Sequence, residues 1–127
     1  MPHLTLEYSA NLDAQVDFDA LCRALLATLL DSGLVEPGAP RVRALRCAAY
    51  AIADDDKQNG FIDMSLRLGA GRSPEDKRRL GDALIEAARA HLASLLARPH
   101  FALSLELREI DPDLSWKLNT MHARLRA

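Results

Sequence analysis

The feature that most constrains the fold of this 127-residue chain is a regular switch between two kinds of apolar spacing. Apolar residues alternate with polar ones in four short segments, as in half-buried strands, and recur every three to four residues in two long segments, as in amphipathic helices. The predicted strands are residues 3–8, 41–52, 62–68 and 101–107, and the predicted helices are residues 13–32 and 74–97. This order, β-α-β twice, predicts an α+β fold with two helices on one face of a four-stranded sheet.

Local signals mark the ends of these elements. Asp13 or Asp17 can cap the first helix, and Ser73, Pro74 and Asp76 predict a capping box at the start of the second. Further predictions are an irregularity near Arg46, a hairpin-like turn over residues 54–60 that ends in Asn59-Gly60, and a short terminal helix within residues 113–125. The element order alone fits both a ferredoxin-like split β-α-β arrangement and two plain β-α-β units side by side.

Composition excludes several classes of protein. The chain is 49% hydrophobic and 27% charged, which predicts one globular domain over residues 1–127 and excludes a disordered chain. Its net charge of −2 gives no global signal for nucleic acid, and no segment is long and apolar enough to predict a membrane span or a secretory signal. Cys22 and Cys47 lack metal or disulfide spacing, so a reducing cytoplasm is the expected location.

Three arginines suggest a site for a small acidic molecule. The glycine-rich turn from Gly69 to Ser73 joins a predicted strand to a predicted helix, where backbone N–H groups and Arg72 could hold a carboxylate or phosphate. A tight turn with a solvated arginine explains the same residues. Neither the P-loop nor the dinucleotide-binding pattern is matched. Arg41 and Arg43 are two residues apart on a predicted strand and share a face, although both could be solvated edge residues.

Pro2 is a candidate general base. Removal of Met1 would leave a secondary amine, and nearby arginines and burial would lower its pKa so that much of it is neutral at pH 7. Such an amine suits proton abstraction next to a carbonyl. Met-Pro also begins many chains without any functional meaning, and if Met1 is retained the nitrogen of Pro2 is an amide without basicity.

Other polar groups carry weaker signals. No cluster has metal-ligand spacing, so no metal site is predicted, and the acidic run at residues 54–56 lacks the ligand pattern of a calcium loop. The tail groups several side chains that could form a docking surface: Trp116, Lys117, Asn119 and His122.

Taken together, these motifs resemble the 5-carboxymethyl-2-hydroxymuconate delta-isomerases, a family of the tautomerase superfamily. The resemblance covers nearly the whole chain. The residues that carry it are Met1-Pro2-His3, Ser9 and Asn11, Arg41 with Arg43, the run from Met64 to Ser73, and Leu114 to Asn119 followed by His122.

The resemblance implies a mixed sheet of two β-α-β units side by side, a homotrimer whose sheets line a central channel, and an isomerase without cofactor or metal. It implies that Pro2 is the general base and acid, that Arg41 and Arg72 bind an anionic di- or tricarboxylate substrate, and that the reaction belongs to homoprotocatechuate (4-hydroxyphenylacetate) breakdown. His3, Arg43, Lys117 and Asn119 match recurrent family positions, and we include Arg43 and Lys117 among the predicted substrate-binding residues.

Two departures leave the substrate open, and two alternatives remain. The loop 54–60 is more acidic than the family pattern, and Trp116 stands where phenylalanine is expected. The chain could therefore be a broader tautomerase that acts on another enol acid. It could also be a non-enzymatic, ferredoxin-like module that binds a small acid.

Overall fold

The computed structural model describes residues 1–126 and contains one four-stranded sheet with the strand order β2-β1-β3-β4. The strands are β1 (His3–Ser9), β2 (Arg41–Cys47), β3 (Gly60–Gly69) and β4 (Phe101–Ile110). β1 pairs with β2 and β3 pairs with β4 in parallel, whereas the central pair of β1 and β3 is antiparallel. The sheet is therefore mixed, and two β-α-β units lie side by side, as the resemblance implied; the ferredoxin-like arrangement is wrong.

Four α-helices complete the described chain: α1 (Phe18–Asp31), α2 (Pro74–His91), α3 (Ala93–Leu96) and α4 (Met121–Leu125). The core lies between one face of the sheet and the apolar stripes of α1 and α2. Its fully buried side chains include Leu4, Leu6, Leu21, Leu25, Leu29, Ile62, Met64, Leu66, Leu68, Leu80 and Leu84. The other face of the sheet carries none of these helices. Over residues 1–126, no helix has the length and apolar character needed to cross a membrane.

Both long helices are shorter than their apolar patterns predict. α1 begins at Phe18 because Asp17 is the cap, and its carboxylate accepts from Ala20 N at 3.0 Å. Ser73 caps α2 by accepting from Asp76 N at 3.1 Å. α2 ends at His91 and a separate turn, α3, follows, because Leu95 N bonds to Leu92 O with the tighter three-residue spacing common at helix ends.

The second strand and the hairpin-like turn differ from the sequence predictions. β2 ends at Cys47 because its only neighbour, β1, ends at Ser9, the residue paired with Cys47. The chain must then pass back across β1 to reach β3, so Asn59-Gly60 does not close a hairpin. The Asn59 side chain instead donates to Ile52 O at 3.1 Å and to Asp54 at 2.7 Å, which fixes the connecting loop.

The predicted short terminal helix is present as α4, but it covers only Met121–Leu125 of residues 113–125. Pro112–Leu114 forms a single 3-10 turn, extended chain follows, and only α4 is helical. The extended part is held by Asn119, whose Nδ2 donates to Gly38 O at 2.8 Å, and Arg126 pairs with Glu36 at 2.6 Å. The tail therefore packs on the loop between α1 and β2 of its own chain.

Candidate active site

The amino-terminal end of β1 opens into a cavity of about 430 Å³ at one end of the sheet. The tail forms one wall of this cavity, and Trp116, whose exposed fraction is 85%, lies in that wall. The charged or titratable residues in the lining are Met1 with its amino group, His3, Arg41, Arg67 and Lys117. Four of these five groups are basic side chains, so the cavity suits an anion.

Strand pairing explains why these basic residues meet. His3 is paired with Arg41 on β2 and with Arg67 on β3, and Arg67 is paired in turn with Arg108 on β4. Directly paired residues project from the same face of a sheet. The neighbouring row, which contains Leu4 and Leu66, faces the helices. The basic row therefore crosses all four strands on the helix-free face.

The terminal amino group lies among positive charges. Partial burial lowers the pKa of the Met1 amine below its usual value, and the charges of Lys117, Arg72 and Arg41 lower it further. Gly69 leaves space for this chain end, since a Cβ added there would lie 3.4 Å from Met1 N. Pro2 is buried, and its carbonyl accepts from Arg41 N at 3.0 Å. An amine placed at this point of the chain is biased toward its neutral, basic form.

Arg72 is held by backbone carbonyls. Its Nε and Nη2 donate to Leu34 O at 3.1 and 2.7 Å, and its Nη1 donates to Gly69 O at 2.9 Å. Three of the five N–H donors of a guanidinium are thus engaged within the chain. Gly71, with φ of +113°, supplies the backbone conformation that this turn needs. The turn brings the charge of Arg72 near the amino terminus but leaves it few free donors.

Arg43 lies beside the cavity and outside its lining. Its Nη1 donates to Nδ1 of His3 at 3.3 Å, and a neutral imidazole ring accepts such a bond. Partial burial, followed by the charges of Arg67, Arg43 and Arg41, lowers the pKa of His3. His3 is therefore favoured as a neutral, oriented ring in the middle of the basic row.

The tail brings Lys117 to the cavity because Asn119 and α4 dock next to it. A Cβ added to Gly38 would lie 3.1 Å from His122 Nδ1 and 3.2 Å from its backbone N, so glycine permits the close approach of α4. Asn119, which the tail pattern grouped with Lys117 as a docking surface, bonds within its own chain. Its contact with Gly38 O anchors the segment that carries Lys117.

The structure thus brings Pro2, Arg41, Lys117 and Arg72 to one end of the sheet and leaves Arg43 at the side. Arg67 was not among the predicted site residues. It alternates with buried Leu66 and Leu68, which was a signal for the helix-free face. Its meeting with His3 depends on the antiparallel register between β1 and β3, which local sequence patterns do not specify.

Comparisons with known proteins agree on one family. The family model described as 5-carboxymethyl-2-hydroxymuconate isomerase matches residues 2–125. The Escherichia coli 5-carboxymethyl-2-hydroxymuconate Delta-isomerase is 32% identical over 123 residues, which cover 97% of this chain and 98% of that protein. The crystal structure of a 5-carboxymethyl-2-hydroxymuconate isomerase from Deinococcus radiodurans R1 superposes with a TM-score of 0.93 at 38% identity, covering 99% of this chain and 95% of its own. A fused 4-OT symmetric trimer, 15% identical with a TM-score of 0.62 and 89% and 91% coverage, shares the fold.

Proposed function

The chain belongs to the 5-carboxymethyl-2-hydroxymuconate isomerase family and is an isomerase, and we propose that it acts on 5-carboxymethyl-2-hydroxymuconate with Pro2 as general base and acid. The observation that carries this proposal is the position of the amino-terminal chain end inside a cavity lined by basic side chains. Partial burial, followed by the charges of Lys117, Arg72 and Arg41, lowers the pKa of the Met1 amine. Removal of Met1 makes the nitrogen of Pro2 a secondary amine in the same surroundings, which we expect to favour its neutral form.

The proposed proton transfer needs no other reactant. The amine of Pro2 takes the proton of the 2-hydroxyl group, and the oxygen–hydrogen electron pair forms the carbonyl at C2. The C2–C3 π pair moves to form a C3–C4 double bond, and the C4–C5 π pair forms the bond from C5 to the proton that the prolinium returns. The proton removed is the proton returned, so atoms and charge balance. A single base that alternates with its conjugate acid fits a cavity with one terminal amine.

Arg41 and Lys117 are the proposed partners of the conjugated carboxylates. Arg41 keeps donors free beyond the bond from Nη1 to Ala39 O at 3.0 Å. Lys117 makes no hydrogen bond or ion pair within residues 1–126. Charge that grows on the substrate as the proton leaves is stabilised by such preorganised cations. Arg72 contributes chiefly its charge, because backbone carbonyls already occupy most of its donors. Arg43 orients His3.

We also propose a homotrimer in the cytoplasm that serves homoprotocatechuate breakdown. Support comes from the helix-free face of the sheet, which no helix covers and which includes the exposed Leu45 among polar residues, and from the fold shared with a symmetric trimer. Light scattering tests the assembly. A mass of three chains is expected, and a monomer or an even-numbered assembly contradicts it.

The experiment that tests the mechanism begins with the intact mass of the purified chain. Protein that lacks Met1 is then compared with a Pro2→Ala variant that also lacks Met1, by following the ultraviolet absorbance of 5-carboxymethyl-2-hydroxymuconate. The parent is expected to convert the substrate and the variant to be at least about 100-fold slower. Equal rates, or full activity in protein that retains Met1, would exclude Pro2 as the base. Faster turnover of 2-hydroxymuconate or phenylpyruvate would favour a broader tautomerase.

A further inference from the structure

Arg67 is an unpaired cation in the lining of the cavity. Its side chain is exposed on the helix-free face, directly across from His3, and makes no hydrogen bond or ion pair with any residue from 1 to 126. Its neighbour in the basic row, Arg108, lies outside the cavity lining and pairs with Glu106 at 2.6 Å. An arginine that lines a cavity with free donors is available to bind a ligand carboxylate in a bidentate manner.

The number of available cations matches the proposed substrate. 5-Carboxymethyl-2-hydroxymuconate has three carboxylates, two at the ends of the conjugated chain and one on the carboxymethyl arm. The cationic side chains in the cavity lining, within the part of the chain that the structure describes, are Arg41, Arg67 and Lys117. Arg72 and Arg43 are engaged elsewhere, with backbone carbonyls and with His3.

The three cations differ in what they face. Arg41 lies next to the reacting end, because its backbone N donates to Pro2 O at 3.0 Å. The charge of Lys117 acts on the terminal amine. Arg67 is instead paired across the sheet with His3, and it is the strongest of the charges that lower the pKa of that imidazole. Arg41 and Lys117 therefore suit the carboxylates of the conjugated chain, which leaves Arg67 for the remaining one.

We propose that Arg67 binds the carboxylate of the carboxymethyl arm and so selects a tricarboxylate over the dicarboxylate 2-hydroxymuconate. This inference rests on the proposed function. A methylene group separates that carboxylate from the conjugated system, so no reaction charge reaches it. The contact therefore has the same strength in the bound substrate and in the transition state. Such uniform binding lowers KM and leaves kcat unchanged.

The test compares Arg67→Gln with Arg108→Gln on both substrates. Arg108→Gln removes the same charge from the same row of the sheet but lies outside the cavity. For Arg67→Gln we expect KM for the tricarboxylate to rise about 10- to 100-fold with kcat nearly unchanged, the range for loss of a hydrogen bond to a charged group. Both constants for 2-hydroxymuconate should change less than about threefold, and Arg108→Gln should change neither substrate.

The outcomes separate this inference from the proposed function. If the parent turns over both substrates and Arg67→Gln slows both equally, or slows neither, Arg67 does not bind the carboxylate of the arm. The isomerase proposal then still stands. If the parent turns over neither substrate, the proposed function itself fails. Inhibition by propane-1,2,3-tricarboxylate and by glutarate gives a second readout. Arg67→Gln should weaken only the tricarboxylate, and Arg67→Lys should restore part of that binding.

Discussion

The two β-α-β units are built alike, but their first strands begin in different surroundings. β1 begins beside the chain end, in a cavity lined by Arg41 and Lys117. β3 begins at Gly60, inside the chain, where its N–H donates to His100 O at 2.8 Å. A cavity of about 370 Å³ lies near that second position too, and its lining includes Lys57, Arg98 and His100. Because every nitrogen there is an amide or a side chain, only the first unit can present a terminal amine as a base.

The two units share a fold, but the candidate active site belongs to the first unit only. Each unit provides a strand start, a neighbouring parallel strand and a basic cavity. The first unit adds a chain end at that place, and the tail adds Lys117. The difference therefore comes from connectivity, and the following experiments are designed to test it.

Blocking the chain end should have the largest effect. A chain that keeps one extra residue before Pro2 has an amide nitrogen at the proposed base, so kcat should fall about 10²- to 10⁴-fold, the usual contribution of a general base. Proteolytic removal of the extra residue from the same preparation supplies the control and should restore kcat. Full activity in the extended chain would show that the second unit, or another group, supplies the base.

Adding a methyl group at the two ends of β3 should affect stability at only one end. A Cβ at Gly60 would lie 2.8 Å from Leu12 Cδ2 and 3.3 Å from Ser9 Oγ. Gly60→Ala should therefore lower the free energy of unfolding by about 1–3 kcal/mol through overpacking. A Cβ at Gly69 would lie 3.4 Å from Met1 N, an ordinary contact that is absent once Met1 is removed, so Gly69→Ala should change stability and kcat little. Thermal melts and kinetics of both variants test this prediction. A loss of stability in Gly69→Ala and none in Gly60→Ala would contradict it.

Removing a positive charge at each cavity should affect pH dependence at only one. Lys117 is the strongest of the charges that lower the pKa of the Met1 amine, and we expect it to act in the same way on the Pro2 amine once Met1 is removed, because a cation disfavours the protonated form. Lys117→Gln should raise the pKa of that amine, so the acidic limb of the kcat/KM profile should move to higher pH. Lys57→Gln is the matched control in the second cavity and should leave the profile in place. If Lys117→Gln leaves the profile in place, Lys117 does not influence the pKa of the base.

The helix caps should give the smallest difference between the units. Asp17 and Ser73 each accept one bond from the first turn of their helices, from Ala20 N at 3.0 Å and from Asp76 N at 3.1 Å. Replacement of either by alanine should lower the free energy of unfolding by about 1 kcal/mol with kcat unchanged. Denaturant titration of both variants checks this equality. A much larger loss for one cap would show that the units are not energetically alike.

Local sequence patterns predicted the elements whose formation depends on residues close together in the sequence. β1, β3 and the helix stripes were readable because alternate residues such as Leu4, Leu6 and Met64 are fully buried. The Asn59-Gly60 hairpin was wrong because β3 pairs with β1, a choice made by distant residues. The length of β2 was wrong for the same reason, since its end depends on the end of its partner.

In the candidate site too, some residues could be predicted from the sequence and others depend on contacts between distant strands. Pro2, Arg41 and Lys117 were named from motifs and resemblance, and Arg41 and Lys117 lie in the cavity lining, while their roles stay predictions. Arg67 was missed because its position beside His3 follows from strand register. The short terminal helix was confirmed, but its start at Met121 could not be predicted, because Asn119 just before it bonds to Gly38 O, 81 positions away in sequence.

The docking of the tail on the loop before β2 has a consequence for the timing of synthesis. Met1 and Lys117 line the same cavity. Asn119 and Arg126 anchor the tail to the loop that contains Glu36 and Gly38. During synthesis the cavity lacks one wall and the cation of Lys117 until the segment from Leu114 to Leu118 has been made. The two walls of this cavity therefore become available at widely separated times.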